Sequence, residues 1–416
     1  MRLSALLAEE PRFRLLFAGQ ALSVVGDRMA PVAIAFAVLD DLDGSPGELG
    51  IVVAAGTVPF AVFALLAGVW ADRLPRQKVM LASDLIRFAV QLVAGGLLLA
   101  GRAEIWQLAA LAVVYGTADA FFQPALSGLL PQIVSAPRLQ QANALRGLTF
   151  STGLVLGPAI AGVLIAVAEP GGAILVDAAT FAVSAAFLAR LRPEAVIREG
   201  SDASAGGFLH ELRGGWAEVR SRTWVWTVLL AVCAYHLIVL PSIFVLGPVL
   251  ADSELDGASS WAIISSAFGF GAIAGDLVML RIRPRRPMLV AGSCLVVASC
   301  QAAIIGSGFG TAGIAALEAV TGAAVTGFFT LWETSLGERI PERAISRVSS
   351  YDFFASVGLM PIGLALAGPV VAAAGLHETL YAMSAIGVAL SLACLCVPEV
   401  RRLERREDHG VGASRR

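Results

Sequence analysis

Apolar residues occur along this chain in long continuous runs, and polar residues fill the short gaps between them. Runs near 13–38, 49–71, 79–100, 105–127, 144–168 and 171–190 are followed by a second set near 224–250, 258–280, 287–306, 311–333, 348–373 and 377–397. At 1.5 Å rise per residue, about 20 apolar residues cross the hydrocarbon core of a bilayer. Barrel strands are about ten residues of alternating polarity, and these runs are longer and unbroken. The pattern predicts an all-α membrane protein with twelve transmembrane helices. The first run is also too long to read as a cleavable signal peptide.

Only one gap is long and polar, LRPEAVIREGSDASAGGFLHELRGGWAEVRSRT at 191–223, and it separates six runs from six. The predicted organisation is a first six-helix bundle over 1–191, a linker over 192–222, a second bundle over 223–400 and a basic tail over 401–416. Within the linker, HELRGGWAEVRSR combines Arg and Trp as a short amphipathic helix at a membrane surface does. Sliding one half onto the other by 207 residues places Gly68 on Gly275, Arg76 on Arg283, Lys78 on Arg285, and Phe121–Phe122 on Phe328–Phe329. Parallel repeats of this kind place a substrate site between the halves and move by rocking.

Composition agrees: 57% of residues are hydrophobic, 15% are charged and the mean hydropathy is +0.77, against about 25% charged for a soluble domain. The placement of charge adds topology. Of 30 Lys and Arg residues, all but Arg28, Arg87 and Arg102 fall in one alternating set of loops and the two ends. The positive-inside rule then puts both termini in the cytoplasm, with the basic loops facing anionic headgroups. The opposite loops are short and acidic, as in DDLDGSPGE at 40–48. Five cysteines sit within apolar runs and four histidines show no ligand spacing, so neither disulfides, a metal nor a cofactor is expected. No GxxxxGK[ST] loop is present, which excludes ATP as a drive within this chain. Nothing points to an enzyme or to nucleic acid, and a monomer is expected.

Two stretches carry a resemblance. GVWADRLPRQK at 68–78 resembles the loop signature of the major facilitator superfamily, GxxxDRxGRRxx, between helices 2 and 3. Gly68, Asp72, Arg73, Arg76 and Lys78 match, and Pro75 stands where the family has a second glycine. The resemblance implies a cytoplasmic gate in which Asp72 faces the positive N-terminal end of helix 11. GLVLGPAIAG at 153–162 resembles the antiporter motif of helix 5, GxxxGPxxGG, through Gly153, Gly157, Pro158 and Gly162, with Ala161 replacing a glycine. Small residues four apart let a neighbouring helix approach closely, and Pro158 removes a backbone donor.

Helix 1, GQALSVVGDRMAP, and the loop PALSGLLPQIVSAPRLQQANALRG are similar to the drug and siderophore exporter branch that includes macrolide efflux proteins. Helix 4 has Ala112 where proton-coupled relatives often have an arginine.

A charge at the centre of a membrane helix costs about 2.5–3.5 kcal/mol on insertion scales, so each buried one needs a partner or a task. Asp84 and Arg87, three apart near the inner end of helix 3, read as a structural ion pair. Asp119 and Gln123 line a cavity or bond to neighbours. Asp177 and Glu318 fall in the outer third of helices 6 and 10, where water reaches. His236, beside Tyr235, reads as packing, and Glu333 and Asp352 near the inner ends could join the gate. Asp27 lies near the middle of helix 1, too deep to snorkel, while Arg28 points about 100° away and needs another partner. Asp27 is thus the leading candidate for coupling or substrate contact.

The combined expectation is a secondary transporter exporting an amphipathic or hydrophobic small molecule by proton antiport. An importer, or a scaffold or sensor of the same fold, is the alternative.

Overall fold

A computed structural model describes residues 3–71, 74–192 and 216–405. Eleven helical stretches in it are long and apolar enough to cross a membrane. One of them, Ala136–Arg190, contains Leu139–Arg190, which is two helices joined at a kink. Among the described residues the chain therefore makes twelve passes. In chain order they are α1 (Pro11–Phe36), α2 (Pro46–Ala71), α3 (Arg76–Leu99) and α4 (Ile105–Ile133). The two parts of Leu139–Arg190 are α5 and α6. The second half has α7 (Thr223–Glu254), α8 (Gly257–Met279), α9 (Pro287–Ile305) and α10 (Gly310–Arg339). Glu342–Val357 and Met360–Ala374 together form α11, and Leu376–Cys396 is α12.

Local chemistry explains where helices break. Between α5 and α6, Ala168 leaves helical geometry and Glu169 adopts φ 60°, followed at once by Pro170, which has no amide hydrogen to continue the ladder. The helix runs through Pro158 without leaving helical φ/ψ. On α4, Glu104 and Gln107 form a capping box that satisfies amides at the helix start. α7 contains two π-helical turns, Tyr235–Val239 and Ser242–Leu246, either side of Pro241. Such turns collect at functional positions.

The two halves are held together at one end. An even number of passes puts both termini at the same end. At the far end a single core joins Phe36, Leu49 and Ile174 of the first half to Leu246, Trp261 and Leu364 of the second. At the terminus-bearing end each half has a core of its own. One is built on Phe13, Met80 and Leu129, the other on Met288, Trp332 and Leu336.

Close helix crossings make the far-end contact. A Cβ on Gly50 of α2 would strike the Leu364 carbonyl of α11, and one on Gly368 would strike Gly47. Between α5 and α8, a Cβ on Gly162 would lie 2.5 Å from the Ala262 Cβ. In lipid, where apolar surface gains little by leaving the solvent, such backbone proximity is what holds helices together. The halves thus pack as a wedge closed at the far end.

The linker's polar portion, 193–215, lies outside the described residues; residues 216–220 are helical. All five cysteines are free thiols.

Candidate functional site

The first half buries a charge cluster, and its spacing on the helices explains how it assembles. Gln20, Ser23 and Asp27 on α1 follow steps of three and four. Asp84, Arg87 and Gln91 on α3 do the same, as do Asp177, Thr180 and Ser184 on α6. Each set lies along one helix face. The faces meet at Arg87, which is 1% exposed.

Its guanidinium donates to Asp84 at 2.6 Å and to Asp119 at 3.2 Å, and lies 3.6 Å from Asp27. The guanidinium also sits 4.4 Å from the ring centres of both Phe122 and Phe181, a double cation–π contact around a buried cation. Ser184 donates to the other Asp84 oxygen at 2.5 Å, and Gln20 donates to Ser184 at 2.9 Å. Tyr115 donates to Asp27 at 2.8 Å. Deeper in, Gln91 donates to Asp177 at 2.6 Å. A Cβ on Gly26 would collide with the Asp177 carboxylate, so the glycine beside Asp27 lets α6 come this close.

Several expectations change here. Asp84 and Arg87 do pair, but Arg87 sits at the middle of α3 rather than near its inner end, and it is shared among three carboxylates. The reason is that α4 and α1 bring Asp119 and Asp27 to the same face, which local spacing on α3 cannot reveal. Asp177 is fully enclosed and Glu318 is 3% exposed, so neither lies where bulk water reaches. Helix packing covers the faces of α6 and α10 that carry them. Arg28 does take a different partner from Asp27: its guanidinium lies 4.4 Å above the Phe150 ring. His236 Nδ1 meets the Val232 carbonyl at 2.9 Å, a packing arrangement within its own helix.

Two cavities share Asp27. One, of about 290 Å³, is lined by Asp27, Gln91, Tyr115 and Asp119, with Phe244 and Met360 contributed by the second half. The other, of about 240 Å³, lies toward the terminus-bearing end and is lined by Asp27, Gln20, Gln123, Asn143 and Arg146 among apolar residues. Asp27 and Asp119 are 28% and 32% exposed, whereas Arg87 and Asp84 are shut away. The cluster thus presents two carboxylates to open space and keeps its cation behind them.

The helix 5 motif is placed against α1. A Cβ on Gly157 would strike Arg28, and one on Gly153 would sit 3.0 Å from Val24. Gly162 faces α8 instead, and Pro158 lines a third cavity together with Arg28. Of the helix 2–3 motif, Asp72 and Arg73 lie outside the described residues, and Gly68 lies within α2. Arg76 opens α3, and its guanidinium packs against Gly128 of α4. Lys78 lies in the first turn of α3.

A family model described as Major Facilitator Superfamily matches residues 16–357. The chain belongs to this superfamily. It is 29% identical over 408 residues to the multidrug efflux pump Tap of Mycolicibacterium fortuitum, covering 95% of this chain and 97% of that one. It is 24% identical over 401 residues to macrolide efflux protein A of Streptococcus pyogenes, covering 94% and 97%.

Among solved structures, a variant of the nucleoside transporter NupG superposes with a TM-score of 0.73 at 13% identity, over 93% of this chain and 98% of that one. An inward-facing bacterial homologue of the iron transporter ferroportin gives 0.69 at 15% identity, over 93% and 99%. At such identities the structures establish the fold. The protein is a multi-pass membrane transporter of the Major Facilitator Superfamily rather than an enzyme, with efflux pumps among its relatives and a small molecule as its substrate.

Sequence reasoning missed that Arg87 is the hub and that Gln91 and Tyr115 belong to the cluster. The signal was available in the steps of three and four on α3 and α4. In the second half it missed Gln301, an isolated polar residue without a periodic partner.

Proposed function

We propose that this superfamily member exports an amphipathic or hydrophobic small molecule from the cytoplasm by alternating access, in exchange for protons. The observation that carries the reading is the charge balance at Arg87: one guanidinium stands against Asp84, Asp119 and Asp27, all within 3.6 Å. One cation offsets one carboxylate. The excess is costly at membrane depth unless protons or a cationic substrate neutralise it. Asp27 borders both cavities, so it is the carboxylate positioned to exchange its proton as access alternates. Efflux by the named relatives supports the direction.

In this reading the terminus-bearing end is cytoplasmic, in keeping with the Lys and Arg distribution. The wedge then opens inward, and the membrane is a bacterial plasma membrane. Asp72 would latch the cytoplasmic end when the wedge reverses, with the basic residues beside it on anionic headgroups. The bundles over 1–191 and 223–400 would rock about the 192–222 linker as a monomer.

Proteoliposomes loaded with ethidium test the function. Efflux should require an imposed proton gradient. Gradient-driven uptake instead would mean an importer, and no movement under any gradient would leave a scaffold or sensor. For orientation, cysteine in place of Ser45 should react with an impermeant maleimide only from outside, and cysteine in place of Ser204 only from inside. Reversed labelling would overturn the topology.

A further inference from the structure

The second half buries one carboxylate that is only half satisfied. Gln301 donates to Oε2 of Glu318 at 2.9 Å and Thr321 donates to the same oxygen at 2.7 Å. Tyr235 in turn donates to Gln301 at 2.5 Å and holds the amide in place. Glu318 Oε1 has no hydrogen-bond partner, although the residue is 3% exposed. Leaving such an atom unmet is expensive, and in native proteins it marks a site that something else completes.

Glu318 lines a cavity of about 140 Å³ between the halves, and Arg28 of α1 lines the same cavity. The Nε of Arg28 is also buried without a hydrogen-bond partner. Apart from Ser265 and Gln301, the remaining wall is apolar and aromatic, with Trp261, Phe244 and Phe268. A carboxylate from one half and a guanidinium from the other therefore border one cavity, and each has a buried polar atom without a partner.

Size limits what fits. Pockets that enclose drug-sized ligands hold roughly 300–1,000 Å³, so this cavity takes one end of such a ligand and not the whole. Pro31 and Phe244 line both this cavity and the 290 Å³ cavity beside Asp27. An apolar body could occupy the larger space while a polar head reaches the smaller one.

We propose that this cavity seats the head of an amphipathic amine, with the protonated nitrogen donating to Glu318 and a neighbouring hydroxyl or carbonyl oxygen accepting from Arg28. The seat rests on the export reading for its purpose, and it names the substrate class. It also separates two tasks: the Arg87 cluster exchanges protons, and the Arg28–Glu318 pair recognises cargo from both halves at once.

Propranolol, an aryl ether carrying a hydroxyl beside a secondary amine, is a suitable probe. Its diol analogue, with a hydroxyl replacing the amine, keeps the aryl body and the oxygen. Binding of each to the full-length protein in lipid nanodiscs is measured by isothermal titration calorimetry. The wild type should bind the amine at least about tenfold tighter than the diol. Glu318→Gln should erase that preference, and Arg28→Gln should weaken both probes alike.

Equal binding of the two probes by the wild type, or no binding of either at about 1 mM, overturns the seat. A preference that persists in Glu318→Gln does so as well. The wild-type comparison needs no variant to fold. Ethidium efflux separates the two proposals: efflux without an amine preference refutes only the seat, and an amine preference without efflux refutes only export.

Discussion

The two halves share a repeat but divide their charges unequally. At the offset of 207 residues, Asp27, Arg87, Asp119 and Asp177 of the first half correspond to Ala234, Cys294, Thr326 and Ser384 of the second. Where the first half has Arg87 among three carboxylates, the second has neutral groups hydrogen-bonded to backbone. Thr326 donates to the Gly322 carbonyl at 3.1 Å, and Ser384 accepts from the Ala303 amide at 2.7 Å. Conversely, Glu318 corresponds to Leu111.

Helix packing is alike in both halves. α2 crosses α4 where Gly116 meets Gly56, and α8 crosses α10 where Gly322 meets Phe268. Backbone proximity therefore survives in both copies while ionisable groups concentrate in one. A repeat needs its crossings twice to close two bundles, but it carries its buried ionic cluster only once.

The sharpest way to break this comparison is Arg87→Gln. Removing one partner of a buried ionic cluster costs about 3–5 kcal/mol, because the other charges stay buried without it. Thermal unfolding in detergent should show a large fall in melting temperature, together with loss of transport. Cys294→Ala, at the corresponding position, should leave both nearly unchanged. Equal effects at the two sites would erase the asymmetry.

Asp27→Asn removes charge but keeps size, and Tyr115 can still hydrogen-bond the amide. Gradient-driven ethidium efflux should fall at least about tenfold, equivalent to about 1.4 kcal/mol, while ethidium binding measured by its fluorescence persists. Full efflux in this variant would remove Asp27 from the coupling role.

At the loop, Asp72 corresponds to Met279. Asp72→Asn should lower the initial efflux rate several-fold with insertion and melting temperature preserved, whereas Met279→Leu should not. An unchanged rate in Asp72→Asn would reduce the loop's aspartate to a flanking residue. The smallest effect is expected from Ser384→Ala, which leaves the Ala303 amide without its acceptor. Losing one such partly buried hydrogen bond costs about 0.5–1.5 kcal/mol, seen as a modest drop in melting temperature with efflux retained. Lost efflux there would give the second half a share in the chemistry.

Hydropathy alone determined the helix number and the six-and-six division, because crossing a bilayer demands uninterrupted apolar length, and the motifs at 68–78 and 153–162 carried the family resemblance. Hydropathy separated α5 from α6 as well, because the apolar run is interrupted at Glu169 and Pro170, where the backbone leaves helical geometry. Local spacing determined which polar residues share a helix face: Asp84 with Arg87, and Asp119 with Gln123. Which faces meet was decided only in three dimensions. Asp27, Arg87 and Asp119 lie on three helices, and nothing in their separation along the chain reports a distance of 3.6 Å or less. Arg28 and Glu318 are further apart still, 290 positions along the chain, and they share a cavity because the halves pack along α2 with α11 and α5 with α8. Hydrophobicity is a property of each residue and can be read one residue at a time, whereas charge compensation and cavity lining belong to pairs that exist only after the helices have packed.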